Sequence, residues 1–142
     1  MIYTRLTNEA LKIAYNAHEG QVDKGGIPYI YHPYQLAQSM PDEHSTCVAL
    51  LHDVVEDTSV TLQELEKVFP KEVTEAVAAM THGKDEPYTQ YLLRVKANPI
   101  AKVVKLADIH HNSDPTRMPD ADPAVLERYR QKYETALAVL QE

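Results

Sequence analysis

The chain has 142 residues, 44% of them hydrophobic and 25% charged, with only 4 glycines; this is the composition of one globular domain with a packed core and excludes a disordered chain. Its 21 acidic against 14 basic residues give a net charge of -7, which excludes a general nucleic-acid binder, since that would need a basic face against the phosphates. No apolar run reaches the length of a membrane span, the first residues lack the pattern of a secretory leader, and the one cysteine, Cys47, sits among Val48, Ala49 and Leu50 as a small buried hydrophobe, so the sequence reads as a cytoplasmic protein without disulfides.

In chain order the periodicity is helical. "TNEALKIAYNAHEG" begins with Thr7 as an N-cap and places Leu11, Ala14 and Tyr15 on one face. "GQVDKGGIPYIYHP" holds three of the four glycines and two prolines and is a loop, after which Pro33 fits the first turn of a helix reaching Met40. "PDEHSTCVALLHDVVED" reads as the next helix, with Asp42 and Glu43 favourable at its positive end. Thr61 with Glu64 forms a capping box, Pro70 opens "PKEVTEAVAAMTH", "HGKDEPYTQ" is a loop and "YTQYLLRVKAN" a helix. Asn98 caps "NPIAKVVKLADIHHNS" with Pro99 at its first position, and a proline-rich connection leads to a closing amphipathic helix over residues 122–141. Nothing reads as a strand. The expected fold is all-α, a single domain over residues 1–142 whose motifs lie between residues 11 and 112.

"ALLHDVVEDT" places four ionisable groups inside an apolar helix, where Asp and Glu are rarely buried without a partner. His52 and Asp53 lie roughly 100° apart around the axis, and Glu56 and Asp57 follow each of them by one turn, so all four can border one site. His32, where the glycine-rich loop enters a helix, and Asp108, again inside an apolar helix, complete a mixed nitrogen and oxygen ligand set. Imidazole and carboxylate without thiolate suit Mn²⁺, Fe²⁺ or Zn²⁺ better than a structural zinc site, and a divalent cation would offset the cost of burying the carboxylates. A helical protein with no site has no account of these groups.

The order His32, His52-Asp53, Asp108 resembles the H…HD…D signature of HD-domain metal-dependent phosphohydrolases. "AHEGQ", "PYIYHP", "ALLHDVVEDT" and "KLADIHHN" resemble, in order and spacing, the hydrolase domain of the RelA/SpoT family and its small stand-alone relatives, over about Leu11 to Asn112. The resemblance implies His32, His52, Asp53 and Asp108 as metal ligands, with Mn²⁺ as the cofactor. It implies Glu56 and Asp57 as the acidic pair that orients and activates water, and Lys24 and Asn112 as contacts to a phosphorylated small molecule, a nucleotide. The most specific activity it implies is hydrolysis of the 3′-pyrophosphate of (p)ppGpp, without a synthetase module. Hydrolysis of another phosphoester, such as a nucleoside monophosphate, and metal-dependent nucleotide binding without turnover are the alternatives. Two positions depart from the family. Asp23 stands where a cation precedes Lys24, and Ser113-Asp114-Pro115 replaces Met-Arg-Thr after Asn112, with Arg117 close behind.

Outside this set, His18 reads as a helix-end histidine satisfied by backbone carbonyls, and His44 and His82 as surface residues. His111, beside Asp108, falls at the family's His position and is expected behind the ligands. Lys84, Arg94 and Lys105 read as cations on solvated helix faces, and Tyr129 and Tyr133, at i and i+4, as core.

Overall fold

The computed structural model describes residues 1–142 as nine α-helices and one 3-10 turn: α1 Arg5–Ala17, α2 Tyr31–Gln38, α3 Glu43–Leu51, α4 Val54–Asp57, α5 Leu62–Glu66, α6 Lys71–Met80, α7 Tyr88–Ala97, α8 Pro99–Asn112, the turn Pro115–Arg117, and α9 Pro123–Gln141. The all-α expectation holds; the one β pairing is an isolated bridge between Val22 and Pro28 that closes the glycine-rich loop. No helix is long and apolar enough to cross a membrane.

Helix α3 is the axis of the fold. Every residue from Ser45 to Leu51 is buried, so this helix is covered on all sides, as expected of one without a polar face. Helices α1 and α2 pack on it from one side, α6 and α8 from the other, and α7 is held between α6, α8 and α9. Leu36, Leu50, Leu51, Leu65, Leu92, Ile109 and Leu140 are among the largest fully buried side chains, each stabilising the fold by about 1.5–3 kcal/mol through removal from water. Cys47 is buried as expected, and burial pushes its thiol up to about 12, so it is inert.

Three local expectations are corrected. Helix α1 starts one turn earlier than Thr7: Thr4 is the cap, and Thr7, at the third helical position, accepts the Thr4 backbone N–H at 2.8 Å to close a capping box. Buried Thr7, Ala10 and Ala14 form its inner face, while Tyr15 is 61% exposed. The segment read as one helix from residue 42 breaks at His52-Asp53, because the His52 ring donates Nδ1–H to the Ala49 carbonyl at 2.7 Å, an acceptor at the helix end. That break lets two adjacent residues aim at one point. Tyr129 and Tyr133 are only half-buried and both line a cavity; Tyr133 also packs against the core, whereas Tyr129 does not.

Candidate active site

Four elements deliver the sequence-predicted ligands to one place. His32 comes from the first turn of α2, His52 and Asp53 from the break between α3 and α4, and Asp108 from the buried face of α8. Ligand atoms of His32, His52 and Asp53 all lie within 4.8 Å of one another. Asp108 completes the set: its Oδ1 stands 2.8 Å from His32 Nε2 and 3.6 Å from His52 Nε2, and His52 Nε2 stands 2.9 Å from Asp53 Oδ2.

The donor set fits a divalent cation. His52 spends its Nδ1–H on the Ala49 carbonyl, and its Nε2, fully buried, turns toward two carboxylates without a hydrogen bond to either. Such an atom in such company could serve as a metal ligand. Burial alone would lower the basicity of His52, but Asp53 and Asp108 push it well up, so a positive charge belongs at this point.

Behind the ligands each side chain is oriented by a further group. His32 Nδ1 meets His111 Nδ1 at 2.7 Å with the two rings stacked 5.0 Å apart. Burial, with the Arg117 guanidinium next, brings His111 down to about 4, so its ring is neutral and accepts the His32 N–H, leaving His32 Nε2 free for the cluster. Tyr29 donates its hydroxyl to Asp53, and burial with the neighbouring Asp53 charge holds that phenol protonated. On α8, Lys105 and Asn112 flank Asp108 at i-3 and i+4 and donate to its two oxygens, each at 3.0 Å. Burial would raise the Asp108 carboxyl; Lys105, His32 and His52 hold it well below the usual carboxylate range. Lys105 is therefore not a solvated cation but a nearly buried partner of a ligand, 14% exposed. His18 is corrected as well: it is buried, its Nδ1 meets Gln21 Oε1 at 2.8 Å, its Nε2 has no partner, and its ring packs on Tyr29 at 4.8 Å.

Glu56 and Asp57 lie on the solvent side of the cluster. Glu56 Oε1 accepts the His82 backbone N–H at 2.6 Å, and the Asp57 carbonyl accepts from Gln21 Nε2 at 3.0 Å. Burial, then the nearby Asp53 and Glu56 charges, push the Asp57 carboxyl up to about 6.

Tyr29 and Asn112 also line a cavity of about 360 Å³, together with Lys24, Arg117, Met118 and Tyr129 among others. Lys24 donates to the Tyr129 hydroxyl and lies 3.5 Å from the centre of that ring. Arg117 donates to Asn112 Oδ1 at 3.0 Å and to Asp23 Oδ2 at 3.2 Å. Asp23 Oδ1 in turn accepts the backbone N–H groups of Gly25 and Ile27 at 2.8 and 3.0 Å, so Asp23 is the organiser of the loop. A Cβ at Gly25 would stand 2.5 Å from the Arg117 carbonyl oxygen, which is why the loop is glycine there. Asp114 does not face the cavity; it caps the 3-10 turn by accepting from the Thr116 backbone at 2.9 Å. Tyr29, Tyr129 and Arg117 are the cavity residues whose contacts to Asp53, Lys24 and Asp23 sequence reasoning left unassigned, because those partners lie 24 or more positions away.

The family model of the HD domain matches residues 10–112. The bifunctional (p)ppGpp synthase/hydrolase SpoT of Escherichia coli is 34% identical over 119 residues, which are 73% of this chain and 17% of SpoT. The GTP pyrophosphokinase rsh of Brucella melitensis is 33% identical over 122 residues, 75% of this chain and 16% of that protein. The chain thus spans about a sixth of the length of these relatives. A solved structure described as a metazoan ortholog of SpoT that hydrolyzes ppGpp superposes with a TM-score of 0.82 over 99% of this chain and 88% of its own, at 24% identity, and so shares the fold. With the HD-domain model covering well over half of its length, the chain belongs to the HD-domain family.

Proposed function

We propose that the chain is a Mn²⁺-dependent phosphohydrolase that removes the 3′-pyrophosphate of (p)ppGpp. The observation that carries this reading is the way the buried His32–His52–Asp53–Asp108 cluster abuts, through Tyr29 and Asn112, a cavity that holds Lys24 and Arg117. Support comes from relatives whose names include guanosine-3′,5′-bis(diphosphate) 3′-pyrophosphohydrolase, from Escherichia coli O157:H7, at 34% identity over 119 residues.

In this reading His32, His52, Asp53 and Asp108 hold the cation, and their nitrogen and oxygen donors suit Mn²⁺. The bound cation would supply Lewis acidity and positive charge against the phosphoryl group. Asp57, on the solvent side of the cluster, takes the proton, while Glu56, pinned through one oxygen, offers the other to orient water. Water oxygen bonds to phosphorus and its proton passes to Asp57, while the bond from phosphorus to the 3′ oxygen breaks and that oxygen leaves with the electron pair, taking a proton from solvent to become the 3′ hydroxyl. Lys24 and Asn112, with Arg117, hold the nucleotide, and Tyr129 and Tyr133 of α9 complete its cavity, which makes residues 1–142 one functional unit.

One observation favours a second reading, hydrolysis of a less charged phosphoester such as a nucleoside monophosphate. Arg117 is already paired with Asp23, which lowers the net positive charge the cavity offers a polyphosphate. The test is release of pyrophosphate from ppGpp, and of phosphate from nucleoside monophosphates, by the full chain with Mn²⁺. Pyrophosphate release that vanishes in Glu56→Ala/Asp57→Ala supports the first reading, and phosphate release alone supports the second. Metal binding without turnover of any of these would overturn both in favour of a nucleotide-binding module.

A further inference from the structure

The loop "THGKDEPY" and Arg94 touch the site described so far only through the His82 amide bonded to Glu56, yet they form a densely hydrogen-bonded surface cluster. Arg94 gives Nε and Nη2 to the two oxygens of Glu86 at 2.8 and 2.7 Å. Its remaining donors reach the carbonyls of Ala78 and Ala79, both at 3.2 Å, and of Thr81 at 3.0 Å, at the end of α6 where backbone acceptors run short of amide partners. Glu86 also accepts the Gly83 N–H at 3.1 Å, and its carbonyl accepts His82 Nε2–H at 2.7 Å. The His82 ring stacks on Tyr91 at 4.7 Å, and the Tyr91 hydroxyl donates to the Met80 carbonyl at 2.9 Å. The turn from residue 81 to 86 is thereby fixed from both sides. A Cβ at Gly83 would stand 3.2 Å from Glu86 Cβ, so the turn is also closely packed on its own carboxylate.

What this turn presents to α4 is the His82 backbone N–H, 2.6 Å from Glu56 Oε1. As a device for stability the arrangement is poor value, because Arg94 is 41% exposed and such ion pairs add little. As a device for direction it is effective, since a bidentate arginine holds a planar geometry that lysine cannot. Glu56 is an exposed side chain with three torsions and would otherwise sample many rotamers.

We propose that Arg94 and Glu86 form a strut that positions Glu56, by holding the His82 amide where it fixes one carboxylate oxygen and leaves the other for water. The inference rests on the role given to Glu56 above. Arg94 and Glu86 are positioning residues: loss of the strut lowers kcat by about ten-fold while KM and metal content stay as they are, since neither residue touches the cluster or the cavity.

The test has two readouts on the full chain. In proton–nitrogen correlation spectra of the metal-free protein, the His82 amide proton lies downfield because of its bond to a carboxylate, and it moves upfield in Glu56→Gln and equally in Arg94→Lys. In Mn²⁺-dependent turnover of ppGpp, Arg94→Lys lowers kcat in the wild-type background and has no further effect on Glu56→Gln, as groups acting through one another are non-additive. Glu86→Gln, which preserves volume, carries both readouts should Arg94→Lys fail to fold. An unmoved His82 amide in a folded Arg94→Lys, or a kcat loss that adds to that of Glu56→Gln, overturns the strut. Wild-type turnover in Glu56→Gln, or no turnover at all, overturns the reading of Glu56 instead, and the His82 signal still decides the positioning.

Discussion

Around Asp108, side chains converge from three helices: Lys105 and Asn112 of α8 donate to its two oxygens, and the Nε2 atoms of His32 from α2 and His52 from the end of α3 face Oδ1. The cavity beside it is lined instead by a glycine-rich loop, the residues around a 3-10 turn and one face of α9. The cluster is oriented by rigid elements whose hydrogen bonds are out of water, whereas the cavity is organised by the Asp23–Arg117 and Lys24–Tyr129 contacts that loops can rearrange. Under the proposed function the difference separates the chemistry from the choice of substrate: one region is fixed, the other adjustable.

The largest expected effect is in the cluster. Lys105→Met leaves the buried Asp108 carboxylate without its cation and destabilises the chelated protein by about 3–5 kcal/mol in denaturant titration, and saturating Mn²⁺ recovers most of the loss. Equal losses with and without metal would break the view that Lys105 and the cation share one task. Asn112→Ala removes the bond to Asp108 Oδ1 and weakens Mn²⁺ binding by about 10- to 100-fold in calorimetry, because it acts behind a ligand as well as in the cavity.

In the cavity, Asp23→Asn frees Arg117 and lowers KM for ppGpp by about ten-fold, the worth of about one charge-assisted bond, with kcat and metal content unchanged. A fall in metal content in that variant would erase the distinction between the two regions.

The smallest effect is electrostatic. Asp57 titrates at about 6 in the folded, metal-free protein against 3.8 ordinarily, through burial and the charges of Asp53 and Glu56. Between those two values the folded state holds the extra proton, so Asp57 makes stability fall as pH rises from 3.8 through about 6. Zn²⁺, a diamagnetic ion on the same ligands, offsets the Asp53 charge and moves the Asp57 carboxyl resonance to a lower midpoint. An unchanged midpoint would place Asp57 outside the field of the cluster.

The cluster was legible in the sequence because its signals are local: a His-Asp pair between Leu51 and Val54, and Asp108 on an apolar helix capped by Asn98-Pro99. Lys105 was misread because spacing places it one turn from Asp108 but says nothing of the Tyr91 ring, 5.3 Å away, that helps to cover it. The break at His52 was invisible because a side chain, and neither proline nor glycine, occupies the end of α3. Tyr129 and Tyr133 follow a helical stripe that predicts burial, and only the tertiary fold turns them toward Lys24. Asp23 stands where the family has a cation, a place unfavourable toward a polyanion; its partner Arg117 lies 94 positions away, and long-range pairing of this kind leaves no periodic trace.

The measurement that bears most directly on the central claim is metal content by mass spectrometry after purification without chelator and dialysis against micromolar Mn²⁺. The expected result is one divalent cation per wild-type chain, lost in the folded His52→Ala/Asp53→Ala variant and retained in Asp23→Asn. No bound cation in the wild type, or the same content in the double variant, would contradict the assignment of His32, His52, Asp53 and Asp108 as a metal centre.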